Sequence, residues 1–324
     1  MTTILVTGAT GLVGSNICQA ARNRGWTPRA LVRPGSRLDE LQALGAEFAW
    51  GDIRNAEEMQ AAAKGADYVA HTAALVPGGA PAELAEFEAI NDLGTRNVLN
   101  AARSAGARRF VYFTTGIHNA DGSLLPPERL AEPYAATKAA GFRAVEQAVD
   151  EGYEAVTICP GAVIGPAPTL GRAVEAPGFN SRIILAIHGE IETFPPFNIT
   201  PVLGYDVAHA TLDALERGRS GEVFDTSGLQ MDAVELMNRG CEVAGVPHRV
   251  RALTEEELGS EAVQKRWGTA ISRVAREALQ ARRAGETKPS SLHPLTVERL
   301  NYEPTSLADT VRTTVQWMQQ HGLV

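Results

Sequence analysis

Short apolar runs alternate with longer amphipathic segments through the first half of the chain. The runs predict six strands, over residues 4–7, 29–33, 47–50, 68–70, 109–113 and 155–159. The segments between them predict helices, over residues 12–24, 38–44, 57–63, 83–105 and 133–149. Strands that alternate with helices in this order are typical of an α/β fold with a parallel, doubly wound sheet.

The alternation ends after Pro160, where the pattern becomes irregular. Proline and glycine are frequent over residues 165–180, which predicts a loop. Beyond it we predict a strand over 223–226, helices over 232–244 and 307–321, a charged helical stretch over 254–285, and a linker over 287–294. These elements indicate a first domain over residues 1–165, with a return segment near 198–227. A smaller, mostly helical cap over residues 166–324 would cover the carboxyl ends of the strands, where open α/β sheets bind ligands.

Composition excludes several classes of protein. The 324 residues carry 30 basic and 38 acidic side chains, which gives a net charge of −8. Proteins that bind nucleic acid usually carry a basic surface, so this charge argues against that class. The three cysteines are far apart and the histidines lack ligand spacing, so we expect no disulfide framework and no metal site. No apolar run is long enough to span a membrane, and the N-terminus does not resemble a signal peptide. We expect a soluble cytoplasmic protein.

A glycine-rich turn joins the first predicted strand to the first helix, with the sequence TGATGLVG over residues 7–14. In this context the first glycine makes the tight turn, the second admits a pyrophosphate, and the third lets the helix pack closely. Amide groups at the start of the helix then bind the phosphates. The residues predicted to do so are Gly8, Thr10, Gly11, Leu12, Val13 and Gly14. An ordinary glycine turn is the alternative.

The end of the second strand distinguishes between the two nicotinamide cofactors. An acidic residue there binds the ribose 2′-hydroxyl of NAD, whereas arginine accommodates the 2′-phosphate of NADP. The chain places Arg33 and Arg37 there, and its first acid is Asp39, in the next helix. We therefore favour NADP(H) over NAD(H), the alternative being that both arginines are ordinary surface residues.

The ends of the third and fourth strands supply further cofactor candidates. Asp52, followed by Ile53, can accept a hydrogen bond from the adenine amino group; the alternative role for Asp52 is to cap the following helix. The small residues Thr72, Ala73 and Ala74 would let a flat cofactor lie against the sheet.

A tyrosine and a lysine share one helix face in the sequence YAATK over residues 134–138. The chain has only four lysines, so the spacing of Tyr134 and Lys138 is rarely met by chance. A nearby ammonium group lowers the pKa of a phenol, which would make Tyr134 a proton donor or acceptor at neutral pH. Thr114 and Thr115 end the fifth strand, where a hydroxyl could hold a substrate carbonyl oxygen or simply cap local backbone groups.

Together these motifs resemble the extended short-chain dehydrogenase/reductases of the NAD-dependent epimerase/dehydratase superfamily, in particular dihydroflavonol-reductase-like members. The matching segments are TGATGLVG at 7–14, GD at 51–52, HTAA at 71–74, Asn91 with Gly94-Thr95, TT at 114–115, YAATK at 134–138, PGAVIGP at 160–166 and the C-terminal stretch 300–318. The resemblance covers nearly the whole chain. It implies a Rossmann domain, a nicotinamide cofactor and a Ser/Thr–Tyr–Lys catalytic set.

The resemblance also assigns roles. Tyr134 becomes the general acid/base, Lys138 binds the nicotinamide ribose and tunes Tyr134, and Thr115 orients the substrate oxygen, with Thr114 as the second candidate. Residues implied to contact the cofactor near the nicotinamide are Thr114, Tyr134, Lys138, Pro160 and Val163. Thr115, His118 and Asn119 are close enough in sequence to touch the substrate. The alternative for His118 and Asn119 is that they are ordinary surface residues of the loop.

Two departures from the related subgroups narrow the expected reaction. Gly116 and Ile117 follow the threonines, at the positions where the dehydratases of this family resemble each other in having an Asp-Glu pair. The chain therefore lacks the acid expected for dehydration. Gly161 follows Pro160, unlike the usual epimerase pattern. We therefore expect an NAD(P)-dependent reductase or dehydrogenase acting on a ketone, an aldehyde or a secondary alcohol. The alternatives are a nucleotide-sugar epimerase and a non-catalytic cofactor sensor. The resemblance further implies a homodimer through the helices 83–105 and 133–150.

Overall fold

The alternating strands and helices form a seven-stranded parallel sheet with helices on both faces, which confirms the predicted α/β class. The computed structural model describes residues 1–78, 82–285 and 292–324. Most of the predicted linker over 287–294 lies outside these residues.

The strands are β1 (Thr3–Thr7), β2 (Thr27–Val32), β3 (Glu47–Trp50), β4 (Tyr68–His71), β5 (Arg109–Phe113), β6 (Ala155–Pro160), β7 (Ala162–Ile164), β8 (Thr193–Phe194), β9 (Asn198–Ile199), β10 (Pro201–Leu203), β11 (Val223–Thr226), β12 (Met231–Asp232) and β13 (Arg251–Ala252).

The helices are α1 (Leu12–Asn23), α2 (Asp39–Ala43), α3 (Ala56–Ala63), α4 (Leu84–Phe87), α5 (Gly94–Ser104), α6 (Pro133–Asp150), α7 (Leu170–Ala173), α8 (Phe179–Ile187), α9 (Gly204–Arg217), α10 (Ala233–Ala244), α11 (Glu255–Leu258), α12 (Glu261–Trp267), α13 (Thr269–Arg283), α14 (Pro294–Leu300) and α15 (Leu307–Gln320). A π-helical turn, Glu88–Leu93, joins α4 to α5, and a 3₁₀ turn, Pro127–Arg129, precedes α6.

The order of strands creates a crevice at one edge of the sheet. The order is β3-β2-β1-β4-β5-β6-β11, and every neighbouring pair is parallel. The chain winds outward in opposite directions from β1 and β4, so the loops that follow these two strands diverge. Thr7 of β1 pairs with His71 of β4 at this point. Such a switch point is where an open α/β sheet binds its ligand.

Two apolar layers cover the sheet. On one face α1 packs against α9, and Ile17 and Leu212 are completely buried there. On the other face α3, α5 and α6 cover the sheet through residues such as Met59 and Val98. Burial on both faces explains why the strands read as continuous apolar runs rather than alternating ones.

A third apolar cluster forms the cap beyond the sheet. It gathers α8, α10 and α15 around Ile183, Met237 and Val315, which are all completely buried. The pair β7–β10 continues from the end of β6 toward this cluster. None of the described helices is long and apolar enough to cross a membrane.

The expected uninterrupted helix over 83–105 is wrong, because the π-helical turn divides it. The buried side chain of Asn91 lies within this turn and bonds the backbone of Leu75, with Leu75 N–H donating to Oδ1 at 2.8 Å and Nδ2 donating to the carbonyl at 3.0 Å. A tertiary hydrogen-bond pair of this kind offsets the distorted helix geometry. The turn therefore ties the helix to the loop after β4.

The expected loop over 165–180 is also partly wrong, since it contains α7 and the start of α8. Asn180 organises this segment despite its prolines and glycines. Its Oδ1 accepts from Gly165 N–H at 2.9 Å, and its Nδ2 donates to the carbonyl oxygens of Gly165 and Ala173. The helices α9 and α14 are additional elements that the sequence pattern did not predict.

Candidate active site

The glycine turn after β1 has the geometry that a bound pyrophosphate requires. Gly8 adopts φ +70°, and a Cβ built there would lie 2.7 Å from Oγ1 of Thr72. A Cβ on Gly14 would lie 2.3 Å from the Gly8 carbonyl oxygen, so only glycine lets α1 come this close. Gly11 precedes α1 as its N-cap residue, without a side-chain cap in the described structure. The amides of the first turn, which begins with Leu12 and Val13, thus face the crevice uncapped.

A cavity of about 340 Å³ extends from this turn across the ends of β2, β3 and β4. Nine of the predicted cofactor residues line it: Gly8, Thr10, Gly11, Arg33, Asp52, Ile53, Thr72, Ala73 and Ala74. Ser36, and Gly51 of the GD motif, also line it. The lining residues that the sequence did not indicate are Leu31, Val32, Arg54, Leu75, Glu86, Ile90 and Arg172. Arg37 lies in an adjoining cavity. The residues brought together here fit the adenosine and phosphate portions of a dinucleotide.

The carboxylate of Asp52 accepts hydrogen bonds from Arg54 and does not cap the following helix. Its carboxylate accepts from the Arg54 backbone amide and from Nε and Nη2 of the guanidinium, at 2.7–3.0 Å. These hydrogen bonds lower the pKa of Asp52, so the carboxylate is charged at neutral pH. The residue that caps α3 is Asn55, whose Oδ1 accepts from the amides of Glu57 and Glu58. The helix-capping role considered for Asp52 is therefore wrong.

A buried histidine connects the glycine turn to the long helix. Nδ1 of His71 lies 2.8 Å from Oγ1 of Thr7, and Nε2 lies 3.0 Å from Oγ1 of Thr95. Thr95 donates its own proton to the Asn91 carbonyl oxygen, so it must accept from Nε2–H. Nδ1 is then the acceptor, and the Thr7 hydroxyl donates to it. Burial lowers the pKa of His71 to about 3, which keeps the ring neutral.

This hydrogen-bonded chain ends at the loop that would support the cofactor. The hydroxyl oxygen of Thr7 also accepts from the backbone amide of Ala73, at 3.2 Å. The hydroxyl of Thr72 donates to the Thr7 carbonyl oxygen at 2.7 Å. Thr72 and Ala73 are therefore held by Thr7 of β1 before any ligand binds, which reduces the entropy cost of binding.

Thr114 and Thr115 have different environments at the end of β5. Nδ1 of His118 lies 3.0 Å from the Gly122 carbonyl oxygen, so Nδ1 carries the proton. Nε2 then accepts from the hydroxyl of Thr114 at 2.9 Å, and burial lowers the pKa of His118 so that the ring stays neutral. The Thr114 hydroxyl proton is therefore already used, which leaves Thr115 as the hydroxyl available for a substrate.

The two residues predicted after Thr115 are held by their own loop. The His118 ring packs edge-on against Phe142 at a centroid distance of 4.5 Å. Asn119 is exposed, and its amide donates to Oγ of Ser123 and to the Leu124 carbonyl oxygen. These contacts show what holds both side chains in the structure, and their contact with a substrate stays a prediction.

Tyr134 and Thr115 lie close together beside the end of β5. Tyr134 is half-buried in the first turn of α6, with its ring edge-on to Phe87. Burial raises the pKa of Tyr134 to about 12, and a hydrogen bond with Thr115 lowers it in part. The Cys159 thiol donates to the Thr115 carbonyl oxygen at 3.1 Å, which fixes Thr115 between β5 and β6. The phenol is thus protonated at neutral pH and adjacent to a second hydroxyl.

Lys138 lies on the same face of α6, one turn further along, and is almost completely buried. Nζ donates to the Phe113 carbonyl oxygen at 2.5 Å and lies 4.3 Å from the centre of the Tyr112 ring. Burial lowers the pKa of Lys138 to about 7. The expectation that the ammonium group lowers the pKa of Tyr134 is wrong here, because burial dominates both groups and shifts them toward their neutral forms.

Pro160 and Val163 flank the same region from β6 and β7. Pro160 ends β6 beside Thr226 of β11, and Val163 pairs with Val202 of β10. Both are half-buried. They lie where β6 leaves the sheet and the chain enters the cap, and their contact with a nicotinamide stays a prediction.

The sheet, its switch point and its glycine turn define a Rossmann-like fold of the kind that binds dinucleotides. The chain belongs to the NAD dependent epimerase/dehydratase family, whose sequence model matches residues 4–225.

Curated relatives and solved structures agree with this assignment. The chain is 28% identical to sterol demethylase protein B of Methylococcus capsulatus over 341 aligned positions, which cover 99% of this chain and 100% of the relative. It is 32% identical to the 4-hydroxy-2-methyl-3-oxo-4-farnesyl-3,4-dihydroquinoline-1-oxide ketoreductase of Stigmatella aurantiaca, over 76% of this chain and 74% of that protein. The crystal structure of gox2253 superposes with a TM-score of 0.81 at 26% identity and covers 100% of both chains.

Proposed function

We propose that this protein is an NADP(H)-dependent reductase that converts a ketone or aldehyde of a small organic substrate into the alcohol. The observation that carries the proposal is the hydrogen bond from Nζ of Lys138 to the Phe113 carbonyl oxygen, which joins the helix of Tyr134 to the strand end that carries Thr115. The Tyr134 phenol is in its protonated form. A protonated donor suits carbonyl reduction, which consumes one proton at the oxygen. The similarity to a ketoreductase supports the same direction.

The side chains supply the proton and hold the carbonyl group. A nicotinamide supplies the hydride when it is bound. The Tyr134 hydroxyl would donate its proton to the carbonyl oxygen, which becomes the hydroxyl group of the alcohol. The Thr115 hydroxyl stabilises the negative charge that develops on that oxygen. Lys138 holds α6 against β5 through the Phe113 carbonyl, and we propose that its ammonium group also binds the nicotinamide ribose.

The preference for NADP(H) rests on the charges at the end of β2. Arg33 is exposed at this position and lines the cavity, and no acidic residue follows directly. In the described part of the chain, neither Arg33 nor Arg37 forms an ion pair. Free guanidinium groups are well suited to a phosphomonoester.

An assay for cofactor consumption tests the proposal. The purified protein is incubated with NADPH and a panel of aliphatic, aromatic and 3-oxo substrates, and both the dinucleotide and the alcohol product are measured. We expect one NADPH oxidised per alcohol formed. Interconversion of nucleotide-sugar epimers without net consumption of cofactor would instead support the epimerase alternative.

A further inference from the structure

Two cavities meet at the end of β2, and one of their shared residues comes from the cap. The cavity of about 340 Å³ described above adjoins a second one of about 580 Å³. The residues that line both are Thr10, Arg33, Ser36, Asp52, Arg54 and Arg172. Five of these belong to loops at the edge of the sheet, and Arg172 belongs to α7 of the cap. The cap thus reaches the cofactor side of the crevice.

Two hydrogen bonds hold the cap segment in this place. The hydroxyl of Thr169 donates to the carbonyl oxygen of Thr10 in the glycine turn, at 3.1 Å. The backbone amide of Leu170 donates to Oε1 of Glu40 in α2, at 3.0 Å. The tethers lie on both sides of the corner formed by the glycine turn and the end of β2. Arg172 follows the second tether by two residues, so these hydrogen bonds hold the backbone that carries it at the cavities it shares with Arg33.

The charges around the second cavity are incompletely balanced. Four arginines line it, Arg33, Arg37, Arg54 and Arg172, against three acids, Glu40, Asp52 and Glu175. Asp52 is paired with Arg54, and Glu40 accepts from the amide of Leu170. Within residues 1–78, 82–285 and 292–324, Arg172 forms no ion pair and no hydrogen bond. Guanidinium groups from the end of β2 and from the cap therefore line the same cavity. Such a cavity is suited to an anion with several oxygen atoms.

We propose that Arg172 is a cofactor ligand contributed by the cap, and that its guanidinium binds the phosphate on the adenosine ribose of NADP(H) together with Arg33. This inference rests on the proposed use of NADP(H). It makes the cap part of the cofactor site, so binding of the phosphorylated dinucleotide also fixes the segment that leads into the substrate side of the cap.

Direct binding measurements with three variants test this inference. Arg172→Gln removes the cap charge, Arg33→Gln removes the charge at β2, and Arg273→Gln removes an exposed charge on α13 that lines neither cavity. The dissociation constants of NADPH and NADH are measured by titration calorimetry at one fixed ionic strength. Melting temperatures show that each variant is folded, which is expected because all three side chains are exposed.

We expect Arg172→Gln to raise the dissociation constant of NADPH about tenfold or more, the usual effect of losing a charged hydrogen bond, and to change that of NADH less than about twofold. Arg273→Gln should leave both constants unchanged. An unchanged NADPH constant in Arg172→Gln, with a raised one in Arg33→Gln, would overturn the role of Arg172 while leaving the proposed function intact. Equal losses for NADPH and NADH would also overturn it, since a shared phosphate would then be the ligand. Tighter binding of NADH than NADPH by the unmodified protein would overturn the use of NADP(H) itself.

Discussion

Nζ of Lys138 donates a hydrogen bond to the carbonyl oxygen of Phe113, across 2.5 Å. Phe113 directly precedes the Thr114-Thr115 pair, and Lys138 lies one helical turn after Tyr134. The contact therefore joins the helix that carries the phenol to the strand that carries the hydroxyl. A buried ammonium with a single such partner carries a large desolvation cost, which explains why the pKa of Lys138 falls to about 7.

The desolvation cost of the Lys138 ammonium group predicts that the free energy of unfolding depends on pH. The pKa of Lys138 is lowered from 10.5 to about 7, so the unfolded chain binds more protons than the folded one between these values. The free energy of unfolding should therefore rise with pH from about 7 to 10.5. Lys138→Met removes the titrating group, and we expect a smaller rise in that variant. Denaturant titrations at pH 7 and pH 10 measure the difference, and an identical rise in both proteins would contradict the buried, weakly compensated ammonium.

The chain through His71 predicts a stability effect at Thr95. Thr95→Val leaves Nε2–H of His71 buried without an acceptor, which typically costs about 1–3 kcal/mol. Thr95→Ser keeps the hydroxyl and is the matched control. We expect denaturant unfolding to show the loss in the valine variant and less than half of it in the serine variant. Equal losses in both would assign the effect to packing of the methyl group instead.

The different environments of the two threonines predict different catalytic effects. Thr115→Val removes the hydroxyl beside Tyr134, and loss of one such donor lowers kcat by roughly 10²-fold. Thr114→Val removes a donor that His118 already accepts from, and we expect a fall in kcat of less than about tenfold. Steady-state NADPH oxidation measures both, with Thr115→Ser as the variant that retains activity. A larger loss in Thr114→Val than in Thr115→Val would place the substrate oxygen at Thr114.

We further propose that the helices over 83–105 and 133–150 form a homodimer interface. Leu84 and Leu93, both on the first of these segments, are 50% and 49% exposed and would be covered in such an interface. We expect a mass of twice 34.5 kDa by light scattering, and dissociation in Leu93→Glu. Val243→Glu, which alters an apolar residue 40% exposed on α10, is the control. A monomeric mass for the unmodified protein at micromolar concentration would contradict the proposal.

The sheet was largely predictable because its strands are buried on both faces and end at polar or glycine residues. The strands over 47–50, 109–113 and 223–226 agree with the structure to the residue. The π-helical turn could not be predicted, since it depends on a hydrogen-bond pair between Asn91 and Leu75 that forms only in the folded protein. The helix α9 was detectable in principle, because Val207, Thr211 and Leu215 repeat at helical spacing.

The candidate site was likewise only partly predictable from the sequence. Tyr134 and Lys138 were visible because one helix places them together, and local spacing is encoded in the sequence. The pKa of Tyr134 was predicted to fall and is raised instead, because the degree of burial depends on the packing of distant elements. The lowered pKa of Lys138 has the same origin and was not predicted. The place of Arg172 in the site was likewise not predictable, because a cap segment far along the chain carries it to the end of β2.

Tyr134 is the proton donor in the proposed reduction, and its role is central to the proposed function. The most direct measurement follows deuterium from NADPH, labelled at its transferable position, into the alcohol product under single-turnover conditions, with the unmodified protein and with Tyr134→Phe. We expect the unmodified protein to transfer the label. The variant should bind NADPH with an unchanged dissociation constant and transfer the label about 10²–10⁴-fold more slowly, the usual contribution of a general acid. Transfer by the variant at the unmodified rate would contradict the account.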